Sequence, residues 1–89
     1  MADYIPVVKS DDMPAPMRDE ALTCAKSAIK LYSVERDIAA YIKKEFDKNH
    51  NPTWHCIVGH DFGSTVSHDS KNFIYFFVGE LAILLFKSG

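Results

Sequence analysis

The chain has 89 residues, a formal net charge of −2, 47% hydrophobic and 25% charged residues, and two cysteines. That length bounds it to one domain, residues 1–89. Its core is thin, because a chain this short buries only about 60–65% of the surface it exposes when unfolded. The composition excludes a disordered chain, and the charge gives no basis for binding nucleic acid or an anionic membrane.

The first candidate strand is Tyr4–Lys9, pushed toward a sheet edge by Pro6. Ser10-Asp11-Asp12 can cap a helix whose first turn accepts Pro14 and Pro16. Met17, Ala21, Cys24, Ala28 and Tyr32 recur at three- and four-residue steps, one face of a helix ending near Tyr32. Ser33 then caps a second helix. Val34, Ile38, Ile42 and Phe46 line one face of it; Arg36, Asp37, Lys43, Lys44, Asp47 and Lys48 line the other. Asn49-His50-Asn51-Pro52 ends it.

From Thr53 onward the period changes to two. The expected strands are Thr53–Val58, Phe62–Ser67, Asn72–Val78 and Leu81–Lys87, with turns at Gly59-His60-Asp61, His68–Lys71 and Gly79-Glu80. The fold class is therefore α+β. The last two strands are apolar on both faces. Helices cover one face; a thin domain has only a second copy of itself to cover the other, so a homodimer is expected. Neither the N-terminus Met1-Ala2-Asp3-Tyr4 nor the apolar runs Phe73–Val78 and Leu81–Phe86 match a signal peptide or a membrane-spanning helix. Cys24 and Cys56 belong to no CxxC pair and are too few for a disulfide scaffold, so reduced thiols in a soluble intracellular protein are expected.

His55-Cys56 invites a thiol nucleophile, but adjacent strand residues point to opposite faces, so His55 cannot activate its neighbour. Cys56 reads as a small buried hydrophobe. His50, His55, His60, His68 and Cys56 match no metal-ligand spacing, and His50, His60 and His68 fall in turn clusters as solvated side chains. No catalytic residue, cofactor or metal is expected. His55 has two readings: a proton switch at an interface, or an edge histidine satisfied by a hydroxyl. The polar strand Phe62–Ser67 also has two: it closes the sheet, or it accepts a peptide as an added strand. Gly63 lets another backbone approach, and small hydroxyls leave room for incoming side chains.

Three segments carry a resemblance: Asp37 through Asp47, Asn51 through Gly59 (Asn-Pro-Thr-Trp-His-Cys-Ile-Val-Gly), and Phe73 through Gly89 with the tail Ala-Ile-Leu-Leu-Phe-Lys-Ser-Gly. Over essentially the whole chain they resemble the small cytoplasmic dynein light chain family, the eight-kilodalton hub type. The resemblance implies a non-enzymatic, strand-swapped homodimer with two helices on a five-stranded antiparallel sheet. Its middle strand, here Phe62–Ser67, crosses to the partner. It implies two symmetric grooves that take short linear peptides of Thr-Gln-Thr type, among them the dynein intermediate chain, in a microtubule-associated complex of the cytoplasm. By the same resemblance Gly63, Ser64, Thr65, Val66 and Ser67 pair with the peptide backbone. Glu35 and Arg36 receive the peptide Gln, Asp12 faces a basic residue, Phe62, Phe73 and Tyr75 wall the groove, and Ala82 and Leu84 floor it.

The resemblance also assigns His55, Lys43, Lys44, Phe62, Thr65 and Ser67 to the dimer interface, with the Ser67 hydroxyl beside His55, and Ser88 resembles a position proposed as a phosphorylation site in the family; His55 and Ser88 are the candidate regulatory residues. Acidification is then expected to dissociate the dimer. Arg36 stands where the family usually has Lys, Thr65 where it has Tyr, Ser67 where it has Thr, Phe77 where it has Tyr, and Glu80 where it has Gln. Losing an aromatic at Thr65 removes contact area and weakens the seam by about 1 kcal/mol or more. A narrower role remains open beside the hub reading: a dedicated structural light chain of an axonemal or cytoplasmic motor.

Overall fold

The computed structural model describes residues 5–60 and 72–88. The elements are β1 (Val7–Asp12), α1 (Ala15–Leu31), α2 (Glu35–His50), β2 (Trp54–His60), β3 (Phe73–Val78) and β4 (Leu81–Lys87). All strand pairs are antiparallel, in the spatial order β1-β3-β4-β2. The architecture is α+β, two helices on one sheet. The expected strand over residues 62–67 and the turn over 68–71 lie outside the described residues.

β3 and β4 form the sheet's centre, joined by Gly79–Glu80. Gly79 takes φ 60, a value a Cβ would disfavour, which lets two residues close the hairpin. Alternation sends Ile74, Phe76, Val78, Ile83 and Leu85 to the helical side. There they join Ile38, Ile42, Phe46 and Trp54 in one buried cluster. Each such side chain contributes about 1.5–3 kcal/mol by leaving water. Phe46 meets Trp54 edge to face, with centroids 4.9 Å apart. Ala21, Ala25 and Ala28 give α1 a small-residue face that packs closely on the core.

Tertiary pairing overrules several local expectations. The first strand begins at Val7 and runs through Ser10, Asp11 and Asp12, the residues expected to cap α1. Asp11 and Asp12 sit opposite Ile74 and Phe73, so the β3 ladder claims them. Pro14 takes the N-cap position without a side-chain bond, and Pro16 fits the first turn. Ser33 likewise caps nothing. Val34 is the N-cap of α2, with extended backbone and about half its surface exposed, so it is not part of the buried stripe. Tyr32, expected on the buried face of α1, is its exposed C-cap. Gly59 and His60, expected in a turn, continue β2 because they pair with Ala82 and Leu81.

Asp47 fastens α2 to the sheet. Its Oδ1 accepts the Trp54 amide at 2.8 Å, and its Oδ2 accepts from the Lys43 ammonium. The Lys43 bond, then the Trp54 amide, hold the Asp47 carboxyl below the ordinary 3.8. A depressed carboxyl contributes stability above its unfolded value and loses it as pH falls through the folded one. Stability is therefore expected to drop as pH falls below about 4. Asp47→Asn should lower the urea midpoint at pH 7 and flatten the acid dependence between pH 7 and 3. An unchanged dependence would contradict this role.

Candidate peptide-binding edge and apolar face

The sheet has two edges, and they are built differently. β1 follows Pro6, carries a bulge at Lys9 between Val8 and Ser10, and ends in two aspartates, one of them 3.9 Å from Arg18. Proline, bulge and charge are the devices that discourage further strand pairing. The outer edge of β2 has none of them. Over Trp54–His60 it carries Cys56, Ile57 and Val58, no proline and no lysine, and Ile57 is half exposed. Among the described residues β2 pairs only with β4.

α2 opens beside the far end of this strand. His60 Nε2 lies 3.5 Å from Glu35 Oε2, so the first turn of α2 and the end of β2 meet. The amides of Asp37 and Ile38 donate to the Val34 carbonyl at 3.0 Å. Those of Glu35 and Arg36 have no backbone partner among the described residues, and no side chain caps the helix. Such first-turn amides are open donors, and the helix dipole makes them attractive to an acceptor.

The face of the sheet away from the helices is also apolar. The ladders align Asp12, Phe73, Phe86 and His55 in one cross-strand row. Ser10, Tyr75, Leu84 and Ile57 form the next, and Val7, Phe77, Ala82 and Gly59 a third. Tyr75, Ala82 and Leu84 cluster there with Phe77 and Phe86. Thus six residues assigned from the sequence, Asp12, His55, Phe73, Tyr75, Ala82 and Leu84, share one face. Glu35 and Arg36 stand at the β2 end of α2. Lys43 is engaged by Asp47, and Lys44 lines a cavity against Tyr32. Phe62, Gly63, Ser64, Thr65, Val66 and Ser67 lie outside the described residues.

His55 is exposed at the end of its row, its ring stacked on Phe86 with centroids 5.2 Å apart. Its Nε2 sits 2.9 Å from Ser88 Oγ. Sequence reasoning named both residues and missed that they touch. The signal was the β2–β4 register: Lys87 faces Trp54, and the Ser88 amide donates to Thr53 at 3.0 Å, which carries the hydroxyl alongside His55.

Cys56 packs against the core on the opposite face from His55, as strand alternation requires. Of the two histidines expected as solvated turn residues, His50 is engaged, whereas the His60 side chain is solvated as expected, 69% exposed, but on a strand. His50 closes α2, lies against Phe46 and bonds Glu20 on α1 at 2.9 Å, while His60 belongs to β2. Among the described residues no three histidine, cysteine or acidic side chains gather as a metal site, and no helix is long and apolar enough to cross a membrane.

Among the described residues, the fold and site define a small α+β domain with one guarded sheet edge and one edge without further pairing beside a helix start. A family model described as dynein light chain type 1 matches residues 5–88, and the chain belongs to that family. Its fold is similar to the dynein light chain-like domain of the Fasciola hepatica calcium binding protein FhCaBP2. That similarity has a TM-score of 0.87 at 21% identity, over 98% of this chain and 94% of that one. A mercury derivative of the same domain gives 0.82 at 20%, over 100% and 97%. The light chain-like domain of CsTAL3 gives 0.80 at 14%, over 93% and 92%.

Burial pushes the Cys56 thiol up to about 12, with Cys24 adding to it. Burial, then Glu45 and Glu20, do the same for Cys24, also to about 12. Thiolate is the reactive form, so both thiols should be inert at neutral pH. Alkylation by iodoacetamide, followed by mass spectrometry, should run at least about a hundredfold slower in the folded chain than in urea. Equal rates would restore the nucleophile reading.

Proposed function

We propose that this chain is a non-enzymatic, homodimeric hub that binds short linear peptides by strand addition and thereby pairs its clients. The observation that carries the reading is the unguarded β2 edge beside the open first turn of α2. Residues 62–67 of a second copy would add to that edge. Their backbone, from Gly63 to Ser67, would present its outer side to a client strand. A five-stranded sheet would result in each half.

A Thr-Gln-Thr peptide fits the remaining chemistry. Its Gln carbonyl can accept from the amides of Glu35 and Arg36. Phe62, Phe73 and Tyr75 would wall the groove over Ala82 and Leu84, and Asp12 would meet a basic side chain. Family membership supports the dynein intermediate chain as one client and a microtubule-associated complex in the cytoplasm as the setting. Two grooves per dimer attach two clients at once, which raises their effective concentration for each other. Lys43 beside the start of β2, with Phe62, Thr65 and Ser67, would complete the seam.

His55 and Ser88 would form one switch at that seam. A second copy laid over the Phe86 row takes the imidazole out of water, so charging it costs desolvation energy. A phosphate on Ser88 would add charge at the same spot. The dimer should therefore weaken as pH falls through the histidine range, and Ser88→Glu should weaken it at neutral pH. Sedimentation from pH 7.5 to 5 checks this; a dimer constant that does not move, or that moves equally in His55→Gln, rejects the switch.

Isothermal titration with a Thr-Gln-Thr peptide should give two sites per dimer, and Arg36→Pro, which removes a first-turn amide, should weaken each. No heat, or one site per dimer, would overturn the hub reading.

A further inference from the structure

The outer surface of the helical layer carries a feature that the proposed groove does not use. Six large hydrophobics are exposed among the described residues, and three of them, Leu31, Tyr32 and Val34, fall within four consecutive positions. They are 62%, 42% and 49% exposed. Exposed apolar side chains scattered singly need no explanation; three within four positions concentrate apolar surface at the joint between α1 and α2.

A cavity of about 210 Å³ opens beside this group, lined by Tyr32, Asp37, Ala40, Tyr41, Lys44 and Glu45. None of these residues lies on the sheet. Asp37, Tyr41 and Glu45 follow at four-residue steps, so one face of α2 presents carboxylate, ring, carboxylate. The Tyr32 and Tyr41 rings stand 6.1 Å apart, inclined at 54°, and form a V-shaped wall. Neither the Asp37 nor the Glu45 carboxylate has a hydrogen bond or ion pair among the described residues, although Lys44 lines the same cavity. The lining thus holds two unpaired carboxylates against one ammonium. Ligand pockets for whole small molecules run about 300–1,000 Å³, so this one suits a single long side chain.

We propose that this cavity is a second docking site, one that takes an arginine side chain flanked by apolar residues from a partner polypeptide. A guanidinium is planar, stacks on tyrosine faces and bonds carboxylates through a rigid fork of donors. The apolar neighbours of the arginine lie on Leu31 and Val34. Charge-assisted bonds to Asp37 and Glu45 supply the selectivity for a cation. Arginine is favoured over lysine because the wall is aromatic and two carboxylates suit a planar fork of donors.

The probe is the blocked tripeptide acetyl-Leu-Arg-Leu-amide, with its neutral citrulline analogue as control, added to the full-length protein. Binding is followed by amide chemical shifts in nitrogen-15-labelled chain. Saturable shifts at Tyr32, Asp37 and Tyr41 are expected, with the citrulline peptide at least about tenfold weaker, a difference of about 1.4 kcal/mol. The Asp37→Asn/Glu45→Gln double variant should remove the arginine preference, and Tyr32→Ala should weaken binding on an unaltered fold. The shifts should persist when a Thr-Gln-Thr peptide is present, which separates this site from the β2 edge. No binding, equal binding of both tripeptides, an unaffected double variant, or shifts confined to β2 would each overturn the proposal.

Discussion

The hairpin of β3 and β4 is apolar on both of its faces, and the rest of the molecule follows from that. A strand buried on one side alternates apolar and polar residues; Phe73–Val78 and Leu81–Lys87 do not. The face carrying Ile74, Phe76, Ile83 and Leu85 is satisfied by α2 and Trp54, with the alanines of α1 behind. The face carrying Tyr75, Ala82 and Leu84 is not reached by either helix. Its residues are buried all the same, with Tyr75, Ala82 and Leu84 at 9%, 0% and 7% exposure. The composition of two strands thus requires cover on both faces of the hairpin, and in the proposed assembly a second copy lies against the second face.

In the proposed assembly the edges of the sheet decide where a further strand can add. Strand addition needs a continuous row of backbone donors and acceptors, and natural sheets suppress it wherever it is unwanted. Here the bulge at Lys9 twists β1 away, and the Lys9 ammonium lies over the Phe77 ring at 5.7 Å. β2 lacks such defences and is held firmly at its start by Asp47. In the proposed assembly, rigidity at one end and an edge without defences would suit a template that accepts a strand without deforming.

Periodic segments were legible in the sequence because their signal is collective. The second helix, with Ile38, Ile42 and Phe46 buried, and the hairpin with its Gly79–Glu80 turn follow directly from spacing. So does the separation of His55 from Cys56 onto opposite faces. Terminal assignments were not legible. Ser10, Asp11 and Ser33 have strong local capping preferences, yet pairing with β3 and the path of the chain into α2 outweigh a bond worth about 1 kcal/mol. The partners of His50 and the contact of His55 with Ser88 required the register, since they join residues about thirty positions apart. The pairing of Tyr32 with Tyr41 needed the angle between the helices, which no single-helix pattern contains.

In the proposed assembly the client groove has no independent existence. One wall of it is the second copy's strand, so a peptide binds the dimer and not the single chain. Linkage then makes the two equilibria reciprocal: whatever factor dimerisation contributes to peptide affinity, the peptide contributes to dimerisation. A weaker seam, such as the one Thr65 in place of an aromatic implies, lowers the population competent to bind and raises the sensitivity of the dimer to occupied clients. The His55–Ser88 pair sits on the sheet face away from the helices, at the end of the Phe86 row. A charge placed there acts on the seam first and on the groove only through it. In that assembly client release would be controlled through association, not through the groove itself, because a second copy of the same chain would cover the apolar sheet face.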